Sequence, residues 1–410
     1  MVYKKNKFDK VLFIGTFAHG EYYDYLFKNG LYEQQAANSV EAFYLDGLKG
    51  TSNSVEILSG LVTKTYGTSK VLSIKENLSE YNGSPITNVG FLNLPYFNIF
   101  SQNKKMRKWA KLWVEKNKDS KVLIVVYSLR VPFLKTAAYI KKRISGATVV
   151  CIVPDLPQYM HSGGGVKTRI TSCINKQWLN SEKRAVDGYV LYAEKMAEDL
   201  KLKENTWTVI EGIFDNKTIA QDAKRKTTNS DEITVVYAGG ISKDYGVETL
   251  VNGFIKAEIL NAELHIYGAL SGMAEEIKKI SRTHKNVQYK GNVNRNALRP
   301  ILENADLLVN PRPSNGVFTK YSCPSKTLEY MSTATPVLMT RLEGVPSEYY
   351  NYVYTIEDES ADGIADALVE VIGKKTEERK ALGKKAQEFI FNEKNIEKQI
   401  EKLYKLVEKL

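Results

Sequence analysis

The chain has 410 residues, too many for one ordinary hydrophobic core and enough for two domains of about 200 residues each. Its composition, 43% hydrophobic and 26% charged, excludes an intrinsically disordered protein. The three cysteines, Cys151, Cys173 and Cys323, lack metal-ligand spacing and suit a reducing compartment. The four histidines are also scattered, so we expect no metal site.

The first predicted strand is 10–15, an apolar segment that ends in glycine. The residues before it lack the apolar core of a signal peptide, and no later run of about 18 apolar residues predicts a transmembrane helix, so we expect a cytosolic protein. The turn at 16–20 is typical of the first βα turn in a doubly wound domain, where ligands bind beyond the strand ends. His19 lies there, either as a ligand-facing group or as an ordinary loop histidine.

Further apolar strands alternate with helical patterns through the first half of the chain. This alternation predicts a mainly parallel sheet that is covered by helices on both faces. The predicted strands are 55–58, 70–74, 88–94, 122–127, 147–153, 188–192 and 207–210.

Residues 104–118 predict an amphipathic basic helix, with Met106, Trp109, Ala110 and Trp113 on one face. Residues 101–150 hold 13 Lys and Arg against 2 Asp and Glu, which accounts for the whole formal net charge of +11. The apolar face either packs on its own sheet or lies on a membrane. The charge is either a solvated face or a surface for an anionic membrane or a pyrophosphate-linked acceptor. No nucleic-acid-binding motif accompanies it, so we expect no nucleic-acid partner.

Asp155 follows the predicted strand 147–153 in the segment Pro154-Asp155-Leu156-Pro157. Its carboxylate either points into a cleft at the strand end or caps the next helix from a turn. His161 and a run of three glycines come next, without the G-K-[ST] of a phosphate-binding P-loop.

A second α/β domain begins after the polar stretch 216–232, which we interpret as a linker. The pattern predicts a strand at 233–237, a tight turn at Gly239 and Gly240, and a helix at 246–257. Two adjacent glycines let the backbone approach a phosphate closely. Further strands are predicted at 263–268 and 286–289.

Residues 305–339 carry the strongest site signal. A buried strand at 305–310 is followed by a loop and by a helix that begins near Pro324. Lys326 in its first turn meets the positive end of the helix dipole, at a cost of up to about 1 kcal/mol, which a bound phosphate would remove. Glu329, three residues on, suits the hydroxyls of a ribose. The alternative is a solvated lysine paired with Glu329, and Arg312, between two prolines, either binds an anion or bridges loops.

The runs NPRP at 310–313, FTKYSCPSKTLEYM at 318–331 and TPVL at 335–338 resemble the donor-sugar signature of retaining glycosyltransferases of family 4. Within that family, the resemblance is to the subgroup that builds bacterial capsules and exopolysaccharides, in which a PDLP segment also recurs. The resemblance implies that Lys326 contacts the donor diphosphate and that Glu329 binds the nucleotide ribose. It further implies that Ser322 and Cys323 contact the donor sugar. Loop residues Asn292 and Val293 would contact the edge of the base.

Three positions depart from the pattern of that family. Tyr321 stands where a carboxylate usually contacts the donor sugar, and Gly240 and Tyr245 stand where the family often has an arginine and a lysine. Lys243 is close enough in sequence to replace the missing lysine. These departures raise the alternative of a catalytically silent binding protein.

The resemblance implies the GT-B architecture, two Rossmann-like doubly wound α/β domains that face a cleft. We expect an acceptor-binding domain at 1–220, a nucleotide-sugar-binding domain at 221–390, and a helix at 391–410 that crosses back to the first domain. The expected reaction is metal-independent transfer of a sugar from a nucleotide sugar, expected to be UDP-linked, to a glycan or lipid-linked acceptor with retention. The sequence has no D-x-D motif, and no cofactor is expected beyond the nucleotide co-substrate. An alternative activity is nucleotide-sugar 2-epimerisation.

The site assignments follow from these arguments. Asp155 and His19 are the predicted catalytic candidates, and Gly15, Thr16 and His161 are the predicted acceptor-binding residues. We expect the protein to act in the cytoplasm, peripherally at the inner face of the cell membrane. The predicted donor-binding residues are Gly239, Gly240, Lys243, Asn292, Val293, Arg312, Tyr321, Ser322, Cys323, Lys326, Thr327 and Glu329.

Overall fold

The computed structural model describes residues 7–32, 34–52, 54–156, 183–215, 232–269, 271–321 and 323–410. The chain divides into two compact units. Unit 1 consists of Met1–Tyr192, Met196–Ile213 and Ile396–Leu410, and unit 2 of Ala193–Lys195 and Phe214–Asn395. The divisions therefore fall before Phe214 and after Asn395, a few residues from the predicted boundaries at 220 and 390. These two residues form a β-bridge within unit 2.

Strands and helices alternate along most of the chain. In the first half they are β1 (Lys10–Gly15), α1 (Gly20–Lys28), α2 (Gln35–Thr51), β2 (Val55–Ser59), β3 (Ser73–Ile74), β4 (Asn77–Tyr81), β5 (Ser84–Asn88), β6 (Phe91–Leu92), α3 (Phe97–Asn117), β7 (Val122–Tyr127), α4 (Val131–Lys141), β8 (Ala147–Val153), β9 (Gly188–Leu191), α5 (Lys195–Leu200) and β10 (Trp207–Val209). In the second half they are β11 (Ile233–Ala238), α6 (Val247–Lys256), β12 (Ala262–Tyr267), α7 (Gly272–Thr283), β13 (Val287–Gly291), α8 (Arg295–Glu303), β14 (Leu307–Asn310), α9 (Ser325–Met331), β15 (Val337–Thr340), β16 (Tyr354–Ile356), α10 (Ala361–Gly373), α11 (Thr376–Glu393) and α12 (Ile396–Lys409).

Unit 1 contains an eight-stranded sheet in the order β10-β9-β8-β7-β1-β2-β5-β4. All its neighbouring strands are parallel except β4 and β5, which form an antiparallel hairpin. Every residue of β7 is buried, as expected for a central parallel strand covered on both faces. The hairpin turns at Asn82 (φ 49°) and Gly83 (φ 75°), a dipeptide that favours this left-handed backbone.

The last helix, α12, is part of unit 1. Ile400, Leu403 and Val407 lie in one hydrophobic core with Tyr44 of α2. A Cβ atom on Gly47 of α2 would overlap the Ile400 side chain, so the two helices pack at close range. This burial of an apolar stripe explains why α12 docks on its unit although it is distant in sequence.

Unit 2 contains a six-stranded parallel sheet in the order β13-β12-β11-β14-β15-β16. Of these strands, β11 comes first in the chain and is central in the sheet. Strands β12 and β13 lie on one side of it, and β14, β15 and β16 lie on the other, which is the Rossmann order. One face packs on α6 and α10, and the other packs on α9 and α11. The prediction of two Rossmann-like α/β domains is confirmed.

Two predicted strands differ from the structure. The strand predicted at 70–74 is reduced to the two residues of β3, and the one predicted at 88–94 is divided between the end of β5 and β6. A Cβ atom on Gly90 would lie 2.7 Å from the backbone nitrogen of Glu76. The chain is therefore crowded by another backbone segment at Gly90, where the pairing on β5 ends and the short β3–β6 ladder begins.

The basic helix α3 packs its apolar face on its own domain. Met106, Ala110 and Trp113 are buried, and the Trp113 indole donates a 2.9 Å hydrogen bond to Glu56 of β2. The lysines and arginine between these positions are exposed. In the part of the chain that the structure describes, none of the helices is both long and apolar enough to span a bilayer.

Candidate functional site

The carboxyl ends of β11 and β14 lie side by side in the sheet of unit 2. Gly239 and Gly240 follow β11, and Arg312 follows β14 after one intervening proline. The chain leaves these two neighbouring strands toward opposite sides of the sheet, which opens a crevice where α/β domains bind ligands. Gly240 and Arg312, which are 72 positions apart in sequence, thus lie at one sheet edge.

Lys326, in the first turn of α9, reaches this edge. Its ammonium nitrogen donates a 2.8 Å hydrogen bond to the Tyr237 hydroxyl oxygen and lies 4.1 Å from the centre of that ring. The Tyr237 hydroxyl donates in turn to the Gly240 carbonyl, at 2.6 Å. A Cβ atom on Gly239 would overlap the Lys326 side chain. The glycine turn therefore provides the space in which Lys326 lies.

Lys326 and Arg312 are two cations without a carboxylate partner among the described residues. The Lys326 nitrogen and the Arg312 guanidinium carbon each lie 5.4 Å from the centre of the Tyr245 ring. Burial and, to a smaller extent, the charge of Arg312 lower the pKa of Lys326 to about 8, and the charge of Glu329 limits the shift. The buried Nε atom of Arg312 has no hydrogen-bond partner. Among the described residues the site therefore presents two positive charges without a carboxylate in salt-bridge contact and an unsatisfied donor, which suits an anionic ligand.

The other predicted donor residues surround this edge at different depths. Thr327 is buried and its hydroxyl has no partner, whereas Glu329 is half-buried. Lys243 is exposed and forms a 3.0 Å salt bridge with Glu248.

The predicted loop residues lie after other strands of the same sheet. Asn292 and Val293 follow β13, whose last residue accepts a hydrogen bond from the Gly268 amide at the end of β12. Tyr321 is half-buried, Cys323 is buried, and Ser322 lies outside the described residues.

The predicted residues of unit 1 also follow strand ends. His19 comes after β1 and Asp155 after β8, and both are exposed. The His19 ring lies 4.8 Å from the Tyr81 ring, edge to face. Partial desolvation raises the pKa of the Asp155 carboxyl. Strand β7 separates β1 from β8 in the sheet, and His161 lies outside the described residues.

Sequence reasoning missed Glu41, a fully buried carboxylate on α2. The Thr16 amide donates a 2.9 Å hydrogen bond to Glu41, and the Thr16 hydroxyl donates a second. A Cβ atom on Gly15 would overlap the same carboxylate. The polar groups of Thr16 are therefore already used within the protein, and the acceptor role of Gly15 and Thr16 stays a prediction.

Burial raises the pKa of Glu41 to about 8, although hydrogen bonds from Thr16 and Phe17 and the charge of Arg130 oppose the shift. Glu41 shares a helical face with Tyr44, Leu45 and Leu48, all buried. A charged residue on an otherwise apolar helical face was the sequence signal for it.

Residues 232–374 match the family model described as Glycosyl transferases group 1. These residues form a glycosyltransferase domain. The predicted enzyme class is thereby confirmed, while the family 4 subgroup and the capsular role stay predictions. No curated protein matches the sequence.

Solved structures match nearly the whole length of the chain at low identity. The catalytic domain of starch synthase IV from Arabidopsis thaliana, bound to ADP and acarbose, has a TM-score of 0.61 at 12% identity, covering 97% of this chain and 98% of its own. HepE from Anabaena in complex with UDP has a TM-score of 0.60 at 13% identity, covering 98% and 100%. A UDP-forming trehalose-phosphate synthase from Burkholderia xenovorans has a TM-score of 0.63 at 10% identity, covering 98% and 99%. At these identities the likeness establishes the fold, which is GT-B.

Proposed function

We propose that unit 2 binds the diphosphate of a nucleotide sugar through Lys326 and Arg312, and that the protein transfers the sugar to an acceptor hydroxyl. The observation that carries this proposal is the pair of cations at the glycine turn, for which the described residues offer no carboxylate in salt-bridge contact. Two like charges held together without a carboxylate raise the energy of the empty site. A diphosphate supplies the missing negative charge and several acceptor oxygens at once.

The same two cations would assist departure of the nucleoside diphosphate. Negative charge grows on the leaving phosphate as its bond to the sugar breaks, and fixed positive groups stabilise that charge. Because the sequence has no D-x-D motif, we propose that Lys326 and Arg312 replace a metal ion in this role. Retention at the anomeric carbon is proposed from the family 4 resemblance.

The remaining donor contacts are proposed around this centre. Glu329 lies three residues after Lys326 on α9, and we expect it to contact the ribose of a nucleotide whose phosphates are bound at Lys326. The loop of Asn292 and Val293 follows β13 at the same sheet edge and would contact the base. UDP is the proposed nucleotide, in line with the UDP held by the Anabaena protein of the same fold.

For the acceptor we propose a glycan or lipid-linked saccharide of bacterial surface polysaccharide synthesis, bound by unit 1. His19 and Asp155 are exposed at the carboxyl ends of their strands, where they could face a hydroxyl. Helix α3 adds a membrane-facing feature, because exposed aromatic side chains at Tyr96, Phe97 and Phe100 precede its basic face. Basic groups near an anionic bilayer contribute about 1 kcal/mol each, enough for reversible attachment of the protein at the inner membrane face.

Calorimetric titration with UDP, ADP and GDP tests the donor site. Wild type should bind at least one of them, and Lys326→Ala and Arg312→Ala should each weaken that binding by roughly 10- to 150-fold, the range of a charge-assisted hydrogen bond. The control is Lys256→Ala, which removes an exposed lysine that pairs with Asp362 in the same unit. Unchanged affinity in both site variants would refute the assignment.

Product analysis separates this function from its alternatives. Slow hydrolysis of a nucleotide sugar without acceptor would argue against a silent binding protein. Inversion at the sugar C2 without any acceptor would identify an epimerase instead.

Co-sedimentation with anionic and neutral vesicles tests the membrane proposal. A variant with five glutamines on α3 should lose binding to anionic vesicles by roughly 100-fold or more at low salt. The matched control removes five exposed lysines from unit 2 and should bind like wild type. Equal binding of the two variants would leave the basic face of α3 as a solvated surface. The α3 positions are Lys104, Lys105, Arg107, Lys108 and Lys111, and the control positions are Lys279, Lys375, Lys380, Lys384 and Lys385.

A further inference from the structure

Tyr245 is held next to Arg312 by a close approach of two loops. It ends the short 3₁₀ turn Lys243–Tyr245 between β11 and α6. Gly246 follows with φ 71°, and a Cβ atom there would overlap the carbonyl oxygen of Pro311. Pro311 directly precedes Arg312 in the chain. Only glycine at 246 allows this contact, so the backbone beside Tyr245 is held against the loop that leads to Arg312.

The Tyr245 ring lies over Gly240. A Cβ atom on Gly240 would lie 2.7 Å from Cε2 of the tyrosine ring. Any larger residue at 240 would therefore push the ring away from its present place. The two departures from the family pattern are physically linked, because the small residue at 240 makes room for the large one at 245.

The Tyr245 ring lies close to both cations of the site. The Lys326 nitrogen and the Arg312 guanidinium carbon are each 5.4 Å from its centre, within the range of a cation–π interaction. A carboxylate at this place would hold the cations but repel a diphosphate, and a lysine would repel both cations. An aromatic ring attracts both cations and keeps their full charge available to a ligand.

We propose that Tyr245 is a positioning residue that holds Lys326 and Arg312 in place for the donor diphosphate. The proposal rests on the proposed function of unit 2 as a nucleotide-sugar site. It assigns the effect to the aromatic ring, not to the hydroxyl. The ring also favours the protonated form of Lys326, since a cation–π interaction exists only with the charged ammonium.

Calorimetric titration of UDP against Tyr245→Phe and Tyr245→Leu tests this role. The phenylalanine variant should bind UDP within about threefold of wild type, and the leucine variant should bind roughly 5- to 30-fold more weakly. The control is Tyr354→Leu, which removes a ring near Lys374, 5.9 Å from it, at another place in unit 2. That variant should bind UDP like wild type.

The pH profile distinguishes positioning from simple packing. Wild-type affinity for UDP should fall as the pH rises through about 8, where Lys326 loses its proton. The midpoint should move to lower pH in Tyr245→Leu and stay unchanged in Tyr245→Phe. The inference would be overturned if Tyr245→Leu bound UDP with the affinity and the pH midpoint of wild type. It would also be overturned if Tyr245→Leu and Tyr245→Phe lost equal amounts of UDP affinity. Failure of wild type to bind UDP or any other nucleoside diphosphate would overturn the proposed function as well.

Discussion

Replacing Lys326 by methionine should stabilise the ligand-free protein and weaken its binding of a nucleoside diphosphate. Burial and the charge of Arg312 lower the pKa of Lys326 from 10.5 to about 8. That change corresponds to about 3 kcal/mol against the charged form in the folded state. Methionine removes the charge at similar length, and the lost hydrogen bond to Tyr237 costs about 1 kcal/mol. We therefore expect a net gain in the free energy of unfolding of about 2 kcal/mol at pH 7.

The gain should depend on pH in a defined direction. Because the pKa of Lys326 is lower in the folded state, the unfolded chain binds more protons between about pH 8 and 10.5, and wild-type stability rises with pH across that interval. The free-energy cost of keeping Lys326 charged in the folded state is fully present below about pH 8 and decreases toward pH 10.5. The difference between Lys326→Met and wild type should shrink accordingly.

Urea unfolding at pH 7 and pH 10, with and without UDP, measures both effects. The control is Lys256→Met, at an exposed lysine, which should change stability by no more than about 0.5 kcal/mol. A given concentration of UDP should stabilise Lys326→Met less than wild type and the control. A variant less stable than wild type at pH 7, or a gain that is the same at pH 10, would refute the reasoning.

Three further predictions concern the proposed donor site and unit 1. Glu329→Ala should raise the Kd for UDP by roughly 10- to 150-fold through loss of the ribose contact, and calorimetry showing an unchanged Kd would contradict this. Transferase activity should persist in the presence of EDTA if Lys326 and Arg312 neutralise the leaving group as proposed, and a strict need for added divalent metal would refute that mechanism. Gly15→Ala should lower the free energy of unfolding by about 1 to 3 kcal/mol, because its Cβ atom would overlap the Glu41 carboxylate. Gly50→Ala, which has open space around it, is the control in urea unfolding, and equal stability of the two variants would contradict the overlap.

The donor residues are predicted from local sequence patterns, and the fold brings those residues to one edge of the sheet. A glycine turn after one strand and an arginine after another are visible in short windows, and parallel strands bring their carboxyl ends to the same edge. Lys243 was chosen by its distance in sequence alone, and it pairs with Glu248. Tyr237 and Tyr245 were not recognised as partners of Lys326, because no local pattern relates them to it.

In unit 1 the sequence contains a hairpin signal at Asn82-Gly83. Asn82-Gly83 between two short alternating segments is a strong hairpin signal, and the structure has the β4–β5 hairpin there. The strands predicted at 70–74 and 88–94 differ from the structure because apolar content alone does not show where the chain turns.

By itself the sequence determined the two α/β domains, since strands buried on both faces are continuous apolar runs and their helices repeat with a period of 3.6 residues. It also determined the cation in the first turn of α9. Only the tertiary structure decided what surrounds that cation, because its hydrogen bond to Tyr237 joins residues 89 positions apart. Only the tertiary structure likewise brings the Glu41 carboxylate to Thr16, which lies 25 positions away in sequence. Contacts of this kind depend on how loops and helices pack at the sheet edge, and no short window of sequence encodes them.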